Sequence, residues 1–224
     1  MSGYSTSFSR YRAYNVTPVA LAGLVSAANA FLETSPTITI HMEDDHDMAG
    51  VELDDLLADS LVRNKIIKRV DIDGRKTLRE PLVSRSISIT FEADFLQVVK
   101  VGISGERDRS LTARREIETI LEGAEYWYAP IFLPRTMLVF QVSIFLPIAL
   151  AAVAAVFLTW LFGGVVTQTS VTFWVLLPFA ILLGVYFGLK DRIFPKLTFD
   201  IGRSADRIQS ARYWRNILLT SIII

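Results

Sequence analysis

The run "MLVFQVSIFLPIALAAVAAVFLTWLF", Met137 to Phe162, decides the architecture, because it is 26 residues long and carries no charge. About 20 apolar residues suffice for a helix to cross roughly 30 Å of hydrocarbon, so the run reads as a membrane span with length to spare for tilt. The charge-free region is wider than the run: from Thr136 to Leu189 there is no Asp, Glu, Lys, Arg or His. Its second half, "VTFWVLLPFAILLGVYFGL" from Val171 to Leu189, has 19 residues and follows the linker "GGVVTQTS". So short a linker permits only a turn. Residues 137–189 are therefore expected to form a two-helix transmembrane hairpin, with residues 129–136 as the linker that leads into it.

Basic residues close to the span ends set orientation. Arg114, Arg115 and Arg135 precede the first span, Lys190, Arg192, Lys196, Arg203 and Arg207 follow the second, and the Gly163–Ser170 turn has none. Both tails are expected on the cytoplasmic side, with the chain multi-pass in a cell inner membrane. Within the spans Pro147 and Pro178 each remove a helix hydrogen bond and mark expected kinks. Ala151 with Ala155, and Gly184 with Gly188, offer small-residue faces for close packing, inside the hairpin or between copies in a homo-oligomer. Trp127, Tyr128, Arg135, Lys190, Arg192, Tyr213 and Trp214 have the amphipathic or basic character of anchors at the headgroup level.

The formal charge is zero, but it is segregated along the chain. Residues 190–224 carry seven Lys/Arg against three Asp, so the acidic excess lies in the rest. This last segment ends in "RYWRNILLTSIII", of which Asn216–Ile224, at about 1.5 Å per residue, is too short to cross a bilayer as a helix. It is expected as a basic cytoplasmic segment with an apolar membrane-associated tail: interfacial, buried against protein, or part of a third span. The chain has no cysteine, which removes disulfides, thiol nucleophiles and cysteine metal sites. The opening "MSGYSTSFSRYRAYNVTP" lacks the apolar core of a signal peptide, and residues 1–16 read as a polar N-terminal segment.

Residues 17–128 carry the patterns of a small α+β domain with a mostly antiparallel sheet. Thr17 and Pro18 open a helix whose Leu21, Leu24, Val25, Ala28 and Leu32 share a face. "TITIHM", "SISITF" and "LQVVKVGIS" alternate as half-buried strands, with Ile38, Ile40, Met42, Ile87, Ile89, Phe91, Val99, Val101 and Ile103 inward. "KIIKRVDID" reads as a strand ended by an Asp73–Gly74 turn, Asp54 as the cap of a short helix, and Ser110–Tyr128 as a helix running toward the membrane.

Both histidines fall in "HMEDDHDMAG", His41 to Gly50, among four acids. His41, Asp44 and His46 are the candidate metal ligands there, yet two histidines five apart lack a zinc spacing and the calcium-loop pattern is absent, so an acidic hairpin turn is expected. "SGERDRS" has no phosphate-loop glycines, and no nucleophile elbow occurs. The basic residues Arg63, Lys65, Lys68, Arg69, Arg75, Lys76 and Arg79 are interleaved with acids and read as a solvated face. No cofactor or nucleic-acid partner is expected. The reading that follows is a non-enzymatic, membrane-anchored binding or sensor module, in which a protein or small ligand at the soluble domain is coupled to the hairpin. A pore-forming or membrane-disrupting effector is the alternative, and a metal-dependent enzyme using His41 and His46 a second.

Overall fold

Alternation of β-branched and polar residues builds inner strands of a six-stranded sheet, because Thr37–Met42, Val83–Glu92 and Val99–Gly105 bury every second side chain on one face. The computed structural model describes residues 4–78, 83–92, 98–129 and 194–223. The strands are β1 (Tyr4–Arg10), β3 (Thr37–Met42), β4 (Asp47–Gly50), β5 (Ile67–Leu78), β6 (Val83–Glu92) and β7 (Val99–Gly105), in the order β1-β7-β6-β5-β3-β4 with antiparallel neighbours. Ile38, Ile40, Val70, Ile72, Ile87, Ile89, Val99 and Ile103 are all buried on the face that meets α1 (Pro18–Leu32) and α4 (Arg107–Gly123). The opposite face presents Ser, Thr and charged residues. The expected α+β class with an antiparallel sheet is thus what the described domain has.

Local signals explain most boundaries. The Thr17 hydroxyl accepts from the Ala20 amide at 3.1 Å and Pro18 occupies the first turn of α1. Two short helices, α2 (Leu53–Ala58) and α3 (Ser60–Asn64), follow β4. Asp54 lies inside the first turn of α2 rather than capping it, and Asp59 instead caps α3 by accepting from Leu61 N at 2.7 Å.

Two further sequence expectations are corrected. β5 does not stop at Gly74 but runs on to Leu78, with Gly74 opposite Ile87 in the ladder. Gly74 is there for space: a Cβ would stand 2.2 Å from Leu32 Cδ1, so the helix side chain occupies the place a side chain would need. The final helix of the first part, α4, ends at Gly123, and the Ala124 amide bonds back to Ile120 and Leu121 carbonyls. The chain therefore leaves through a tied turn and not through a helix reaching Tyr128. Residues 4–16 of the polar opening segment supply β1, one edge of the main sheet, and β2 (Tyr14–Val16), whose Tyr14 and Val16 are buried.

Residues 194–223 return to the same domain. β8 (Leu197–Phe199) pairs in parallel with β2, Tyr14 to Leu197 and Val16 to Phe199, and α5 (Ser204–Ile223) follows. Phe199 and Ile201 join the main core. At the entry to α5 the Arg203 amide donates to the Arg63 carbonyl (2.8 Å) and the Ile67 amide to the buried Ser204 hydroxyl (2.9 Å). Among the described residues no helix is long and apolar enough to cross a membrane. The two expected spans, with Pro147, Pro178, Ala151, Ala155, Gly184 and Gly188, and the flanking Arg135, Lys190 and Arg192, lie outside the described residues.

Candidate functional site

Backbone hydrogen bonds around β2 gather the chain's exit and return into one place. On one side the Asn15 amide donates to Ala124 O (2.9 Å) and the Tyr126 amide to Ala13 O (3.0 Å). On the other, the Tyr14 amide donates to Lys196 O (2.9 Å) and the Asp200 amide to Val16 O (3.0 Å). β2 thus lies between β8, its parallel partner, and the residues after α4, to which it is joined by an isolated antiparallel bridge from Tyr14 to Glu125.

Aromatic packing closes the same joint. Tyr128 is buried with Ala13 and Ala129. Its ring stacks on Tyr126 (centroids 4.7 Å) and meets Phe194 edge-on at 5.3 Å, while its hydroxyl donates to Pro195 O at 3.0 Å. Tyr126 shares a hydrogen bond with Thr198 Oγ1 (2.7 Å), and Thr198 donates to Asn15 Oδ1 (3.0 Å). Burial pushes both tyrosine hydroxyls up from the usual range. α5 inserts Arg215 here: the residue is 8% exposed and its guanidinium lies 5.0 Å from the Tyr128 ring centroid and 5.8 Å from that of Tyr126. Its Nη1 has no hydrogen-bond partner among the described residues. Ser204, Ile208, Ala211 and Arg215, spaced by four, three and four, form the inward stripe of the helix.

The expected headgroup anchors divide in this geometry. Trp127 is 70% exposed, Tyr213 63% and Trp214 46%, whereas Tyr128 is inside the protein. An aromatic at the end of a hydrophobic segment has the same composition signal in either case, and only the tertiary partner Arg215 distinguishes them. Sequence reading missed Arg215, Phe194 and Thr198 because their partners lie 70 to 180 residues away in the chain.

The histidine stretch folds as the β3–β4 hairpin, with Asp45 in a left-handed conformation at the turn (φ 59°). His41 stands on the polar sheet face between two carboxylates, Nδ1 at 2.7 Å from Asp47 and Nε2 at 2.9 Å from buried Asp71. Arg69 also donates to Asp71 (2.8 Å). His46 is exposed and faces Asp44, whose carboxylate pairs with Lys65 and is held below its ordinary range by that hydrogen bond. His41 and His46 engage different acids, and no group of three or more His, Asp or Glu that could hold a metal ion exists among the described residues.

A second charged centre ties α1 to α4. Glu33, in a left-handed conformation at the α1 C-cap (φ 57°), meets Lys76 (2.9 Å), Arg109 (2.5 Å) and Arg85 (3.2 Å), and Arg85 reaches Glu106 at 2.9 Å. The Lys76, Arg109 and Arg85 hydrogen bonds, in that order, hold the Glu33 carboxyl down at about 2 against an ordinary 4.5. A carboxyl depressed on folding contributes stability that is full above its unfolded pKa and is lost as pH falls toward the folded one. The unfolding midpoint in urea is accordingly expected to drop between pH 4.5 and about 2, with Glu33→Gln flattening that part of the profile.

Comparison of the chain with known protein families, with curated proteins and with solved structures returned no match.

Proposed function

We propose that the chain is a membrane-anchored, non-enzymatic binding or sensor module, its α+β domain on the cytoplasmic side and residues 137–189 forming a two-span hairpin inserted into that domain. The observation that carries this reading is the joint: the Tyr128 and Phe194 rings meet with centroids 5.3 Å apart and the Tyr128 hydroxyl donates to Pro195 O, so the residues that flank 130–193 pack in one place. A segment that crosses a membrane an even number of times must return to the side it left, and a two-helix hairpin with a short turn returns close to where it left. Residues 130–193 contain the charge-free run 136–189. A protein or small ligand that shifts the domain reaches the hairpin through the segments around residues 124–126 and 196–200, both of which β2 and its neighbours hold by backbone hydrogen bonds.

The absence of cysteine makes the topology directly measurable. Ser5 and Gln209 are exposed on the domain, while Ser204 is buried and unsuited to labelling. In intact cells a membrane-impermeant maleimide is expected to label Thr167→Cys and to leave Ser5→Cys and Gln209→Cys untouched until the membrane is opened. Labelling of Ser5→Cys from outside would overturn the orientation, and failure of the protein to remain in alkali-washed membranes would overturn the anchor itself.

A further inference from the structure

Exposed aromatic side chains on the domain are concentrated at the joint. Trp127, Tyr213 and Trp214 stand 70%, 63% and 46% exposed, and Trp127 meets the Tyr128 ring (5.6 Å) that carries Arg215 on its other contacts. On α5 the two aromatics stand beside one exposed cation, Arg212, and Ile217 is 40% exposed, while Arg215 is buried and from Ile208 to Ile224 the sequence has no acid. Trp and Tyr favour the headgroup level of a bilayer, where one end of the ring is apolar and the other wet. An exposed cation beside them, here Arg212, complements anionic headgroups at about 1 kcal/mol near the surface. The patch lies where residues 130–193 leave and return, so a bilayer holding that segment also lies against the patch.

We propose that α5 and Trp127 form a docking surface for anionic phospholipid headgroups, which seats the domain on the membrane with the outward side of α5 along the interface. This rests on the membrane-anchored reading above. Its consequence is that the domain is held at two points, by the hairpin and by α5, and that bilayer charge sets how firmly it is seated. Arg215 is the inner support of this surface. By filling the space between α5 and the Tyr126–Tyr128 stack it fixes the rotation of the helix, so that Tyr213 and Trp214 face outward.

The test uses the full chain, reconstituted into vesicles of phosphatidylcholine alone or with one third phosphatidylglycerol. An environment-sensitive fluorophore is placed at Tyr213→Cys, and at Ser88→Cys, which is exposed on the polar sheet face, as control. In anionic vesicles the Tyr213→Cys probe is expected to shift to the blue and to be quenched by a headgroup-level lipid quencher, at least threefold more than in phosphatidylcholine. The Ser88→Cys probe should respond to neither lipid. Arg212→Glu, a substitution on the exposed face that leaves the core intact, is expected to remove the difference between the two lipids, as is high salt. Equal signals in both lipids, from protein that resists alkaline extraction, would overturn this docking surface and leave the anchor standing. Protein that never inserts would overturn both.

Discussion

A chain stopped at residue 193 is expected to lose cooperative folding of the whole α+β domain, even though it retains every strand of the six-stranded sheet. Such a chain lacks β8 and α5, and with them Phe199 and Ile201, which are 3% and 5% exposed in the main core. Each of those side chains contributes about 1.5–3 kcal/mol by burial. Loss of Lys196 and Ser204 also strips partners from the amides of Tyr14 and Ile67, at about 1–3 kcal/mol for each buried group left unsatisfied. The total is comparable to the roughly 5–15 kcal/mol that holds a domain together. Limited proteolysis and near-ultraviolet circular dichroism of the shortened chain are expected to show an open, rapidly cleaved protein. A protease-resistant core with a sharp thermal transition would contradict the expectation.

The second large effect is expected at one glycine. Gly202 sits at φ +50° where the returning segment turns into α5, and a Cβ there would stand 2.5 Å from the Arg63 carbonyl oxygen and 2.6 Å from Arg63 Cα. These are backbone atoms and cannot swing aside. Valine adds the cost of a β-branched residue in the left-handed region to that overlap, and the segment can escape only by giving up the Arg203–Arg63 and Ile67–Ser204 hydrogen bonds. Gly202→Val is expected to destabilise the domain by about 3 kcal/mol or more, read as a shift of the urea midpoint. Gly102→Thr is the contrast. It lies in β7 with nothing within 4 Å of its Cβ position, and threonine suits a strand, so this change is expected to be neutral or to stabilise by up to about 1 kcal/mol. If the two substitutions cost the same, the close approach at Arg63 does not hold the segment.

The two glycines also mark what could be read from the sequence. Strands with period-2 apolar patterns, such as Thr37–Met42 and Val99–Gly105, were legible because burial on one face dictates the alternation. β1 was not, since in "YSTSFSR" Phe8 is the one strongly apolar residue and the small side chains leave no pattern. Gly74 looked like a turn because its reason, the nearby Leu32, lies on a different element. β2 and β8 are three residues each and 180 residues apart, so neither has a local signal and each exists only by pairing with the other. The charge-free segment was plain in the sequence, while the way the domain closes across it was not. At the candidate site, composition located Trp127, Tyr128, Tyr213 and Trp214. Only the fold separates the buried ring, paired with Arg215, from the three that face outward.

The central claim is that one domain is made of residues before and after the charge-free segment, which is an insertion between two adjacent ends. It is tested most directly by removing the insertion. The Tyr128 and Phe194 rings meet at 5.3 Å and the Tyr128 hydroxyl reaches Pro195 O, so a Gly/Ser linker of about six residues, which extends to roughly 20 Å, spans the two ends without strain. A chain of residues 1–129, linker and 194–216 keeps β8 and the inward stripe of α5 through Arg215, and omits the apolar residues beyond. Its thermal unfolding is to be measured beside that of residues 1–129 alone. The expected result is a soluble protein with a cooperative transition for the linked chain and none for the fragment. A linked chain with no transition, or a fragment that melts as sharply as the linked chain, would contradict the claim.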